Sequence, residues 1–234
     1  MEAITDMKQK ILEDSLKNKK VCVIGCGGLG CNVSVHLAGG GTGKLILCDF
    51  DTVSESNLNR QFFYSHDDIG KSKVKQAVYF LSRYAPDLKI EAKERKIETA
   101  DDLDFAKHCD LIISAVDNFR AREAITEFCR KENIPLVCGA IEGFYGIAYL
   151  YLPHKSPCPK CAATNENVSV EKSVSSTAGI MGAYQTHLAI QYLLTKDETL
   201  SGNLLIFDNC EFNVLKIKAS KECKICNITS EVKT

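Results

Sequence analysis

The sequence has no surplus of charge of either sign. Its 29 lysines and arginines stand against 30 aspartates and glutamates, a formal net charge of −1. Binding to nucleic acid or to an anionic membrane therefore gains no support from charge. No apolar run is long enough to span a bilayer, and the opening MEAITDMKQKILEDSLKNKK has no apolar signal core. These absences give the reading of a soluble cytoplasmic protein. There is no internal repeat and no low-complexity tract. The histidines His36, His66, His108, His154 and His187 show neither metal-ligand nor catalytic spacing, and no GxSxG occurs. They read as structural or surface residues, and histidine-based metal catalysis and serine hydrolysis have no motif to stand on.

What is present is a 234-residue chain, 45% apolar and 25% charged, enough for one large domain with a real core, or one domain with a small appendage. Twelve cysteines are many. Without a secretory signal they read as reduced thiols or metal ligands rather than disulfides. Cys158/Cys161 and Cys223/Cys226 form two C-x-x-C hooks in the turn-like settings SPCPKC and KECKIC. Four thiolates on two hooks make a closed, structural zinc site, which holds architecture and does no chemistry. The other eight, Cys22, Cys26, Cys31, Cys48, Cys109, Cys129, Cys138 and Cys210, stand singly among apolar residues and read as small buried hydrophobes.

Hydrophobic periodicity predicts an opening helix and then alternation. Strands are expected at 21–24, 44–48, 88–92, 111–116 and 135–140, with helices at 28–39, 72–84, 101–107 and 118–130. The fourth strand is nearly all apolar, as when both sheet faces are covered. The pattern changes after Gly143: antiparallel strands at 147–152, 204–208 and 212–217 flank a helix at 177–194, and the polar stretch 163–176 reads as a crossover loop. The expected fold is α/β: a Rossmann-like, doubly wound, mostly parallel sheet with C-terminal antiparallel strands. Ligands of such sheets bind beyond the carboxyl ends of the strands at the switch point, here between the first and fourth strands.

The motifs converge there. Strand 21–24 runs into Gly25-Cys26-Gly27-Gly28-Leu29-Gly30, a glycine turn opening a helix, where bare N–H groups can approach phosphate. About twenty residues on, a strand ends at Asp49, placed to accept from a ribose hydroxyl. SNLNRQ then puts Arg60 just beyond the pocket, more cation than a dinucleotide site needs, so a triphosphate is indicated. Lys73 opens a helix, where a cation opposes the dipole unless an anion sits nearby. Asp117 reads as an N-cap, as a magnesium ligand, or as both.

GCGGLG, the CDFD strand end, SNLNRQ, GKSKV, VDN and the two hooks occur in the order found in the ThiF/MoeB/HesA family, which the chain resembles from about Leu16 to Cys226. That family is similar to the adenylation domains of ubiquitin-activating enzymes. The resemblance implies one adenylation domain over 1–234, with a nucleotide-binding part at 1–142 and, at 143–234, the antiparallel strands, crossover loop and zinc hooks for carrier docking. It implies ATP and magnesium as cofactors, and adenylation of the C-terminal glycine of a ubiquitin-like sulfur carrier, ThiS-like or MoaD-like and ending in Gly-Gly, for thiamine or molybdopterin synthesis. By motif, Gly25, Gly27, Gly28 and Gly30 form the phosphate loop, Asp49 accepts from the ribose, and Asp51 belongs to the nucleotide-binding set. Asn57, Arg60 and Lys73 meet the phosphates, Asp117 holds magnesium, and Asn118 belongs to the nucleotide-binding set. A homodimer is implied too. Relatives often carry a reactive cysteine in the crossover loop; 162–179 has none, so a separate sulfur donor is expected to attack the adenylate. The alternatives are activation of another ubiquitin-like carrier or of a peptide C-terminus, an NAD-dependent oxidoreductase, and a scaffold that keeps the fold without the activity.

Overall fold

Alternation along each strand decides the two faces of this protein. In β1 (Lys20–Ile24), Val21 and Val23 point to one core, and Cys22 and Ile24 to the other. β2 (Lys44–Cys48) and β4 (Leu111–Ser114) divide in the same way, so every strand of the centre is buried on both sides. The computed structural model describes residues 15–162 and 173–226. The expected opening helix and most of the crossover segment fall outside them.

With β3 (Lys89–Lys93), β5 (Leu136–Glu142), β6 (Tyr145–Tyr151), β7 (Asn203–Asp208) and β8 (Glu211–Lys216), one continuous eight-stranded sheet forms in the order β3-β2-β1-β4-β5-β6-β7-β8. The pairings from β3 to β5 are parallel and those from β5 to β8 antiparallel. On one face lie α1 (Gly28–Gly39), α2 (Lys73–Tyr84) and α5 (Ser175–Thr195); on the other lie α3 (Phe119–Glu132) and a 3-10 segment, Ala100–Ala106. The single turn α4 (Pro159–Ala162) follows β6 and carries the first hook's second cysteine. Among the described residues no helix is long and apolar enough to cross a membrane.

Several expectations shift in detail. The segment after Thr99 is a 3-10 helix, β4 stops at Ser114 rather than Val116, and the antiparallel strands begin earlier than the apolar runs that marked them. β8 is the reason a run misleads here: as an edge strand it is exposed along its whole length. Cys210 is also a correction. It is exposed, at φ +81° in the tight β7–β8 turn, and Cys138 is half-buried; Cys22, Cys26, Cys31, Cys48, Cys109 and Cys129 are buried as expected. All five histidines are exposed.

Two glycines set the geometry that the site uses. Gly25 turns at φ +97°, and a Cβ there would meet the Ala115 carbonyl oxygen at 2.6 Å. A Cβ on Gly30 would lie 1.9 Å from the Gly25 carbonyl oxygen, so α1 can start only if that position is bare. Gly30→Ala should therefore cost roughly 1–3 kcal/mol or more in urea unfolding, since backbone is what must move. Gly179→Ala is the contrasting variant: its Cβ would meet only Asn32 Oδ1, at 3.7 Å. It lies inside α5 and should gain up to about 1 kcal/mol from helix propensity.

Candidate nucleotide site and metal cluster

Since β1 and β4 are neighbours whose chains leave in opposite directions, their carboxyl ends open a crevice. A cleft of about 480 Å³ lies there, lined by Gly25, Gly27, Gly28, Asp49, Asp51, Arg60, Lys73, Asp117 and Asn118 together. Residues almost a hundred positions apart thus share one wall, as the topology requires.

The glycine loop is held from both sides of one residue. The Cys26 N–H donates to Asp49 Oδ2 at 2.6 Å, and the Cys26 carbonyl accepts from the Tyr64 hydroxyl at 2.7 Å. Asp49 Oδ1 also accepts from the Asp51 N–H at 2.8 Å. Burial pushes the Asp49 carboxyl up, and those two backbone N–H groups and Lys73 pull against it. The helix that follows has no side-chain cap at Gly27 and no acidic residue in its first turn. Its leading N–H groups therefore face the cleft without a competing anion, the arrangement that suits phosphate.

Lys73, the first residue of α2, is buried, with Nζ 3.1 Å from Asp51 Oδ2. The unfavourable placement of a cation at a helix start is thus offset within the chain by Asp51. Arg60 lies over Gly28, where an added methyl would meet Arg60 Cγ and Ala178 Cβ at 3.4 Å, and its guanidinium is held by the Ser56 carbonyl and Asn59 Oδ1. The cap of α3 is Asn118, whose Oδ1 accepts from the Ala121 N–H at 2.9 Å. Asp117 stands outside that cap and is exposed at the cleft.

Asn57 and Gly30 do not line the cleft. Asn57 Oδ1 accepts from the Ser54 N–H, and its carbonyl takes the N–H groups of Arg60 and Gln61, so it shapes the loop that carries Arg60. Sequence reasoning misses Gln61, Phe50, Arg95, Lys96, Arg120 and Arg122, all of which line the cleft. Gln61 is buried and its Oε1 has no hydrogen-bond partner among the described residues. Arg122 spans the Val116 carbonyl with Nε and Nη2 at 3.2 and 2.9 Å, and burial lowers its pKa. The positions just past β3 were findable, because β3 is parallel to β2 and ends at the same edge. Six cationic side chains face four carboxylates in this lining, a surplus that fits a polyanion.

The four hook cysteines meet, with all their sulfurs within 4.8 Å of one another. Three separations, Cys158–Cys223, Cys158–Cys161 and Cys161–Cys226, are 3.4, 3.9 and 3.7 Å. Zinc–sulfur bonds of about 2.3 Å at tetrahedral angles give sulfur–sulfur edges of about 3.8 Å, so the donor set fits zinc. The Cys158 and Ser220 N–H groups point at the Cys226 and Cys161 sulfurs, at 3.3 and 3.4 Å, as suits thiolates. None of the four lines the nucleotide cleft.

Comparison with known proteins agrees with this geometry. The model of the ThiF family matches residues 3–228, and the chain belongs to that family. It is 32% identical to the SAMP-activating enzyme E1 of Haloferax volcanii, over 90% of this chain and 81% of that one. It is 32% identical to the molybdopterin-synthase adenylyltransferase of Escherichia coli over 92% and 89% of the two chains, and 30% identical to the sulfur carrier protein ThiS adenylyltransferase of the same organism over 94% and 89%. Among solved structures, E. coli MccB with ATP superposes with a TM-score of 0.82 at 25% identity, covering 93% of this chain and 68% of that one.

Purified protein should carry about one zinc per chain by elemental analysis, given four thiolate ligands. Cys223→Ser should lose it and melt at a lower temperature, while nucleotide affinity at 25 °C stays near the wild-type value.

Proposed function

For this member of the ThiF family we propose an ATP-dependent adenylyltransferase that activates the C-terminal glycine carboxylate of a ubiquitin-like sulfur carrier, ThiS-like or MoaD-like. The carrying observation is the single cleft that joins an uncapped glycine-loop helix start to Arg60, Lys73 and Asp117. The names of the relatives at 30–32% identity support the same chemistry. One feature supports a fit to ATP: Gly28 leaves a cradle that a methyl would fill beside Arg60, close to the uncapped start of α1.

In this reading the phosphates lie over Gly25, Gly27 and Gly28, with Asp49 on the ribose side. Phe50, 48% exposed with Lys96 Nζ 5.7 Å above its ring, offers a face for the base. One oxygen of the carrier carboxylate attacks the α-phosphorus, the bond to the bridging oxygen breaks, and pyrophosphate leaves. Two anions must be brought together, so charge neutralisation dominates the barrier. Arg60 and Lys73 supply it from fixed positions. Asp51 holds Lys73 in place and hands it over to phosphate when the nucleotide enters. Bound magnesium would add Lewis-acid stabilisation to the phosphate oxygens, and Asp117 is the carboxylate placed to hold it.

The same reading takes 1–142 as the nucleotide-binding part and 143–234 as the part that docks the carrier. It places the protein in the cytoplasm, as a homodimer, with a separate sulfur donor that attacks the adenylate. A peptide C-terminus is the second substrate reading, favoured by the likeness to MccB. The surplus of cations in the cleft disfavours a nicotinamide dinucleotide.

Arg60→Ala should lower carrier-dependent ATP–pyrophosphate exchange by about a hundred- to a thousandfold, the usual cost of removing one fixed donor to developing charge. Exchange close to wild type would remove Arg60 from the chemistry. Asp117→Asn should raise the magnesium concentration needed for half-maximal exchange.

A further inference from the structure

The phosphate loop and the loop that carries Arg60 are separate in sequence, and one side chain fastens them. Tyr64 lies four residues beyond Arg60 and is buried, stacked edge-on to Phe63. Its hydroxyl reaches across to the Cys26 carbonyl at 2.7 Å, a contact between residues 38 positions apart. Neither Tyr64 nor Cys26 lines the cleft. Whatever Tyr64 does for a bound nucleotide, it does through the backbone of the glycine loop.

That backbone needs help. Gly25, Gly27 and Gly28 have no side chains to hold them, Gly25 sits at positive φ, and Gly27 leaves the start of α1 without a side-chain cap. A bare loop has more conformations to lose when it closes on an anion. The Gly25 N–H bonds the Cys48 carbonyl and the Gly28 carbonyl takes Asn32 Nδ2, but only Cys26 is held from two outside loops: Asp49 takes the N–H on one side and Tyr64 meets the carbonyl on the other. The only other donor to that carbonyl among the described residues is the Cys31 thiol at 3.5 Å, a weaker one. The Tyr64 N–H in turn bonds the Gln61 carbonyl, so the same residue fixes the stretch that presents Arg60 and Gln61.

We infer that Tyr64 is a positioning residue: its hydroxyl rivets the glycine loop to the Arg60 loop and sets the spacing of the two walls that grip the nucleotide's phosphates. This rests on the nucleotide reading above. It predicts that the hydroxyl matters for phosphates and not for the nucleoside.

The test is Tyr64→Phe in the full chain, which keeps the ring and removes one oxygen. ATP and adenosine affinities are measured by calorimetry, and amide hydrogen exchange is followed across residues 21–31. The expected result is ATP binding weakened roughly ten- to a hundredfold, from lost preorganisation, with adenosine binding unchanged and faster exchange of the hydrogen-bonded Cys26 and Cys31 N–H groups but not of β1. ATP binding at wild-type strength overturns the inference. So does a parallel loss for ATP and adenosine, which marks general loosening. If wild type binds no ATP, the nucleotide reading fails on its own, while the exchange data still judge the rivet. Should the variant not fold, the Tyr64 hydroxyl proton of wild type is followed by NMR: slower exchange on adding ATP supports the role, and exchange indifferent to ATP overturns it.

Discussion

Everything at this site depends on keeping a nearly side-chain-free loop in one shape. Bare N–H groups attract phosphate only if they already point at it, and glycine gives them no means of doing so alone. The fold supplies the means from outside the loop. Ala115 and Gly25 approach too closely for any Cβ, Gly30 abuts the Gly25 carbonyl, and Cys26 is held on one side by Asp49 and on the other by Tyr64. Asp49 thereby has two tasks in the proposed reading, because the carboxylate that would meet the ribose also fixes the loop next to it.

The second constraint is charge. A cleft able to hold a triphosphate and an incoming carboxylate has to carry cations before either arrives. Uncompensated cations in a partly buried cleft are costly, and carboxylates within the cleft offset them. Lys73 rests on Asp51, and Arg60 rests on neutral oxygens of its own loop. These are the weak, exchangeable partnerships that a polyanion can displace. Asp117 is left out of the α3 cap because Asn118 takes that task, and one residue's difference in capping separates a structural carboxylate from one available to a metal. The four-cysteine cluster is separate from all this. It ties the end of the described chain, after β8, to the turn after β6, within the antiparallel half of the sheet.

Much of this was legible in the sequence, for physical reasons. Strands buried on both faces announce themselves by continuous apolar runs, and the glycine turn and the acidic strand end have few other uses in that order. The cysteine hooks are equally plain, since paired C-x-x-C spacing has little alternative in a reduced chain. What could not be read was contact between distant loops. Nothing local to Tyr64 says that its hydroxyl meets Cys26, and nothing in the run 93–98 says that Arg95 and Lys96 border the cleft until β3 is placed beside β2. Which of Asp117 and Asn118 caps α3 could not be read, because Asp and Asn are both good caps and the backbone, not the residue type, decides which is used. Exposure of β8 and of Cys210 was missed for the opposite reason: apolar runs look alike at a sheet's centre and at its edge.

The most direct test of the central claim is the mass of the carrier's C-terminus after reaction. A ThiS-type or MoaD-type carrier ending in Gly-Gly is incubated with the protein, ATP and magnesium, without a sulfur donor, and analysed intact. The account predicts a carrier heavier by one adenylyl group at the terminal carboxylate, with pyrophosphate released. A carrier heavier by a phosphoryl group with ADP released, or an unmodified carrier despite bound ATP and both carrier types tried, would contradict it.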